Sequence, residues 1–217
     1  IRREEKSCKI TGIRNVFLCE PKPAGTVPVY CSGCAYFRKG MKTLMNNKKI
    51  IGITMGDPAS IGPEITVKAF ADPSLYELCC PLVVGDADVM EAALSIVNHK
   101  ELQIHRIQNV SDALFRFGTI DVFDMGLIDA AQLQRGQVSA ECGDASFRYV
   151  TKVIELAMEG KIDATVTNAF NKEAVNLAGH HYSGHTEIYA DLTGTKNYTM
   201  MLAHENLRVV HVSTHVS

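Results

Sequence analysis

The chain has 217 residues, 46% of them hydrophobic, and a formal net charge of −2, a composition that excludes a disordered chain. No apolar run approaches the roughly 20 residues of a membrane-spanning helix, and no apolar signal core follows the basic N-terminus. A cytoplasmic protein with no membrane or nucleic-acid partner is therefore expected.

Charge and cysteine are unevenly spread. Residues 1–49 hold 11 of the 22 Lys and Arg but only Glu4, Glu5 and Glu20 among acids. Cys8, Cys19, Cys31 and Cys34, four of the seven cysteines, lie in the same stretch. Cys31-Ser-Gly-Cys34 is a CxxC pair, but a zinc ribbon needs a second one. Ten residues separate Cys8 from Cys19, so that second knuckle is missing. Periodicity is weak up to Gly40, and Pro21, Pro23 and Pro28 interrupt it. Arg38-Lys39-Gly40 can be encoded by purine-rich codons, as a ribosome-binding site would be. Residues 1–40 thus read as a disordered extension or upstream read-through, with Met41 or Met45 as the start and residues 41–217 as the folded part. A mature chain containing Cys31 would overturn the read-through reading.

Lys49–Met55 is a short, β-branched run and reads as a buried strand. Gly56–Glu64 is turn chemistry, with Pro63 and Glu64 suited to the first turn of a helix reaching about residue 70. A strand over 81–85 and a helix over 87–97 follow, then weaker strands at 102–107 and 120–123. Phe147, Val150, Ile154, Ala157 and Met158 recur at helical spacing and predict a long amphipathic helix over 139–159. Next come a strand at 163–167, a short helix at 172–177, a helix from His185 ended by Gly194, and strands at 198–202 and 207–214. Strands alternating with helices imply a layered α/β fold with a mostly parallel sheet.

GxGxxG, GxxxxGK[ST] and GxSxG are all absent, which argues against the usual dinucleotide loop, a P-loop and a nucleophile elbow. The Gly56–Glu64 loop could present N–H groups to an anion; an ordinary strand-to-helix turn is the simpler reading. Six of the eight histidines (His180, His181, His185, His204, His211 and His215) fall within 36 residues, and histidine is the usual metal ligand and acid–base group near neutral pH. His211 and His215 lie on a β-branched strand, about 13 Å apart at 3.3 Å per residue, so both cannot bind one ion. His215, at the strand end, is the better ligand. Gly184-His185-Thr186-Glu187 could gather free N–H groups, a hydroxyl and an imidazole at one point suited to phosphate or carboxylate; a helix cap by Thr186 is an equal alternative on local grounds. Lys172 could add charge there.

ITMGDPASIGPEI, LVVGD, TNAFNKEAVNLAGHHYSGHTEIYADLTG and MMLAHENLRVVHVSTHV, in this order, resemble the 4-hydroxythreonine-4-phosphate dehydrogenase family over residues 48–217. The NKEA-LAGHHYxGHTE wording is nearer its D-threonate 4-phosphate branch than its vitamin B6 branch. The resemblance implies an isocitrate and isopropylmalate dehydrogenase-like fold, with two α/β subdomains about a cleft in a homodimer. It implies NAD and a divalent metal (zinc, magnesium, cobalt or manganese) as cofactors and a small phosphorylated hydroxy acid as substrate. His185 and Thr186 would contact that substrate, Lys172 would lie near it in a catalytic or binding role, and His215 would be one of three histidine metal ligands. The other two would fall beyond Ser217, so the C-terminal part of the fold is expected to be missing and these 217 residues alone to be inactive. Ser60 stands where the family usually has glycine, a source of strain if that position needs φ > 0. Two non-enzymatic readings compete: a phosphate-ligand binding module, and a zinc-binding adaptor built on the opening cysteines.

Overall fold

The computed structural model describes residues 48–204 and 206–210, together with the backbone of residues 15–19 and 29–31. Its strands are β1 (Asn15–Cys19), β2 (Val29–Cys31), β3 (Ile50–Thr54), β4 (Cys80–Gly85), β5 (Gln103–Ile107), β6 (Thr119–Asp124), β7 (Ala164–Thr167), β8 (Tyr198–His204) and β9 (Leu207–Val210). They form one sheet in the order β5-β6-β4-β3-β7-β2-β1-β8-β9. The six strands from β5 to β2 run parallel, and β1, β8 and β9 continue the sheet through antiparallel ladders. The α/β class with a mostly parallel sheet is thus as the alternation implied. Weak periodicity gave no strands in residues 1–40, yet β1 and β2 pair into the sheet there. The rest of that stretch, with Cys8 and Cys34, and Met41 and Met45 lie outside the described residues.

The helices are α1 (Gly62–Phe70), α2 (Pro73–Leu78), α3 (Ala87–Val97), α4 (Ala140–Met158), α5 (Lys172–Leu177) and α6 (His185–Leu192). α3 and α5 have the bounds read from the sequence. α2 was not anticipated, although Asp72 and Pro73 announce it: the Asp72 carboxylate accepts the Ser74 N–H at 2.9 Å, a side-chain cap with proline in the first turn. Six residues show too little periodicity for that signal to stand out. Met158, assigned by spacing to the buried face of α4, is 52% exposed, because the helix ends there and the chain turns away at Glu159.

β4 is buried on both faces, with Leu82, Val83 and Val84 fully covered, as a central parallel strand requires. Around it Phe70, Met90, Ile120 and Tyr149 complete the main core. A smaller cluster, Val150, Ile154, Ile188 and Tyr189, joins α4 to α6. α4 serves both clusters. Its 19 residues carry the chain from β6 back across the sheet to β7. The β3-to-β4 connection moves along the sheet in one direction and β6-to-β7 in the other, so right-handed crossovers put α1 and α4 on opposite faces. The same reversal makes the carboxyl ends of β3 and β7 a topological switch point, the crevice where ligands of open α/β sheets bind.

Candidate anion site at the carboxyl ends of β3 and β7

Two loops meet in this crevice. Gly56, just after β3, has φ +81°, and a Cβ there would lie 2.6 Å from the Ala169 carbonyl oxygen. A Cβ on Gly62 would lie 2.3 Å from the Met55 carbonyl oxygen. Both glycines are therefore required by close backbone contact. Protein fills the space beside each of them, so the Gly56–Glu64 segment fits the reading as a packed strand-to-helix turn. The Asp57 N–H donates to the Ala169 carbonyl at 3.1 Å, and Asn168 Nδ2 donates to Thr66 Oγ1 at 2.7 Å. The buried Asp57 carboxylate accepts the Ala59 N–H at 2.9 Å. Burial raises its pKa, against the lowering by the Ala59 and Asn171 backbone N–H groups. Ser60 is exposed, and the non-glycine residues with positive φ among those described are Asn98 and Phe115. Ser60 is thus not in the positive-φ conformation that would strain it.

The loop after β7 leads into α5, where Asn171 Oδ1 accepts the Ala174 N–H at 3.1 Å. α5 lies directly on α4, since a Cβ on Gly143 would stand 2.0 Å from the Ala174 carbonyl oxygen. α6 then starts at His185. Its N-cap is Gly184, extended at φ 176°, with no side-chain cap. Thr186 is thus inside the first turn and is not the cap, the alternative its position had left open. An uncapped first turn offers N–H groups and the positive end of the helix dipole to an anion.

His185 is the decisive group. Its ring leans on Phe170, with centroids 4.1 Å apart and planes 47° apart, and its Nε2 is buried without a hydrogen-bond partner. Burial and then the nearby Lys172 ammonium push its pKa down to about 4, so the free ring is neutral at pH 7. A buried, unpaired polar group costs about 1–3 kcal/mol, which a ligand oxygen would offset. A bound dianion would also favour the imidazolium and convert the contact into a charge-assisted bond. Lys172, which the sequence grouped with His185 and Thr186, is near enough to His185 to lower its pKa, and Thr186 follows His185 in the first turn of α6. Phe170 was not foreseen, because its role depends on a contact 15 positions away.

The other histidines do different work. His180 donates through Nε2 to Asp144 Oδ1 at 2.9 Å and stacks on Phe147 at 3.8 Å. His181 and His204 are exposed. His211 and His215 lie outside the described residues, and with them the expected metal ligand. Among the described residues no group of three His, Cys, Asp or Glu side chains could hold a metal ion, so they do not by themselves supply the implied ion's donor set. A cavity of about 460 Å³ lies elsewhere, between the C-terminal half of α4 and residues 108–115. Its Lys152 and Lys161 are paired with Glu155 and Glu159, and it contains no orphaned polar atom, so the α6 terminus is the better site. No helix among the described residues is long and apolar enough to cross a membrane.

Residues 77–217 match the family model described as pyridoxal phosphate biosynthetic protein PdxA. The chain belongs to the PdxA family. The D-threonate 4-phosphate dehydrogenase of Cupriavidus necator is 47% identical over 167 residues, which are 77% of this chain and 50% of that protein. A crystal structure of a 4-hydroxythreonine-4-phosphate dehydrogenase from Burkholderia phymatum superposes with a TM-score of 0.75 at 49% identity, covering 79% of this chain and 52% of that one. The corresponding enzyme of Klebsiella pneumoniae gives 0.73 at 42% identity, over 78% and 51% of the two chains. The chain therefore spans about half the length of the PdxA relatives it matches.

Proposed function

We propose that this PdxA-family chain carries the phosphate-binding part of an NAD-dependent dehydrogenase acting on a phosphorylated four-carbon hydroxy acid. The observation that supports it most is the orphaned, neutral His185 at the uncapped start of α6, beside Lys172. The His185 ring and the Thr186 hydroxyl would hold phosphate oxygens, the first-turn N–H groups of α6 would add donors, and Lys172 would balance the charge. Phosphate held there anchors the substrate away from the reacting carbon and supplies binding energy for positioning. In this reading His215 and other histidines would hold a divalent ion, which would supply polarisation of the oxygen being oxidised, and NAD would serve as hydride acceptor; the described residues complete neither site.

The reaction favoured is oxidation of the secondary hydroxyl of D-threonate 4-phosphate, with loss of carbon dioxide, to dihydroxyacetone phosphate. The name and 47% identity of the Cupriavidus relative support that substrate. The second reading, 4-phosphohydroxy-L-threonine, is supported by the names of the two solved relatives. A homodimer belongs to either. The test is twofold. NADH formation is followed with each compound, with and without divalent metal, and binding of D-threonate 4-phosphate is compared with that of unphosphorylated D-threonate by calorimetry. Binding that needs the phosphate and is lost in His185→Ala is expected; equal binding of the two compounds would overturn the phosphate site.

A further inference from the structure

We propose that Asp144, Phe147 and His180 form a latch that sets the position of the first turn of α6, which makes His180 a positioning residue for the anion site; the role of that site rests on the function proposed above, the latch itself does not. α6 is anchored through its second turn, where Ile188 and Tyr189 enter the small cluster on α4 and the Tyr189 hydroxyl donates to Thr165 Oγ1 at 2.9 Å. Its first turn is held more lightly, by the contact of the His185 ring with Phe170. Gly184 carries no capping side chain, and the first hydrogen bond of the helix, from the Ile188 N–H to the Gly184 carbonyl, is long at 3.5 Å. The placement of His185 therefore depends on Phe170 and on the loop that delivers it, residues 178–184.

The start of that loop is tied to α5 by the His180 N–H, which donates to the Val175 carbonyl at 3.1 Å, and two of its rings rest on Phe147 of α4. The His180 ring stacks on Phe147 at 3.8 Å with planes 14° apart, and its Nε2–H reaches the Asp144 carboxylate one helical turn earlier on α4. The Tyr182 ring stacks on Phe147 at 5.7 Å, while its hydroxyl donates to Asp191 of α6 at 2.6 Å. A continuous path of contacts thus runs from α4 through the loop to α6. Asp144 and Tyr182 lie toward solvent, with Asp144 45% exposed and also facing Arg148 at 3.7 Å. A single side-chain hydrogen bond contributes only modestly to global stability, so removing this one should move the site more than it weakens the fold. Misplacing a binding group by about 1 Å is enough to cost affinity or rate severely.

The test uses the full chain and two readouts. One is the His185 Hε1 proton resonance, displaced by the ring current of Phe170. The other is affinity for inorganic phosphate. In His180→Ala and Asp144→Ala the resonance should move toward its free-histidine position and phosphate affinity should fall about tenfold, with core methyl signals and Tm unchanged. His180→Gln, whose amide nitrogen can still reach Asp144, should recover most of the change. An unmoved His185 resonance in both alanine variants would overturn the latch. So would a shift that comes only with loss of the core signals, or one that His180→Gln leaves uncorrected. Wild-type protein that ignores phosphate, while its His185 resonance still answers to His180→Ala, would sink the phosphate reading and leave the latch standing.

Discussion

The main core and the small cluster beneath α6 share α4 but are built differently. The first is a saturated apolar interior, with Phe70, Leu82 and Met90 fully covered. The second has four buried members, of which Ile188 and Tyr189 come from α6, bordered by partly buried rings at Phe147, Phe170 and Tyr182. The first holds the sheet together whatever happens at the site. The second leaves His185 with an unmet hydrogen-bonding need, a local cost that suits a place meant for a ligand. Stability and function are thus carried by adjacent faces of one helix.

Breaking the core should have the largest effect. Phe70→Ala, which empties a fully buried position, should cost about 3–5 kcal/mol, read as a lower denaturation midpoint, whether or not phosphate is present. The site should respond to pH instead. The unfolded chain protonates His185 near 6.5, whereas the folded chain resists until about 4. Stability is therefore full above pH 6.5 and falls as pH drops from 6.5 toward 4, by up to about 3 kcal/mol. Phosphate should reduce that fall, and His185→Ala should abolish this component; identical pH–stability curves for the variant and the parent would contradict it. Gly143→Ala tests the seam between the regions. The added methyl meets the Ala174 carbonyl, so a loss of about 1–3 kcal/mol should come with weaker phosphate binding, both measurable on one sample. The smallest effect belongs to Ser60→Gly: an exposed residue without positive φ should change stability by less than about 0.5 kcal/mol.

What the sequence disclosed follows the same division. β3 was legible as a short β-branched run, α1 through the turn chemistry that ends in Pro63 and Glu64, and α4 through its helical period, while α3 and α5 were read with the bounds they have. α2 was missed although Asp72 and Pro73 mark its start, and β1 and β2 were missed because Pro21, Pro23 and Pro28 interrupt the pattern around them. At the site, Lys172, His185 and Thr186 could be named from residue type and spacing. Phe170, Asp144 and Phe147 could not. Phe147 read as one more apolar residue of a helix, and its partners His180 and Tyr182 reach it across more than 30 positions, a contact that local pattern does not encode.

The contact of Gly143 with Ala174 has a consequence for motion. Backbone against backbone leaves no side chain to repack, so α4 and α5 have one spacing and must travel as a single body. If the crevice opens or closes around a ligand, the bending has to occur in residues 168–171 or 178–184. Only the second of these lies between that rigid pair and the anion-binding turn, so the loop that carries His180 is where such a movement would be regulated.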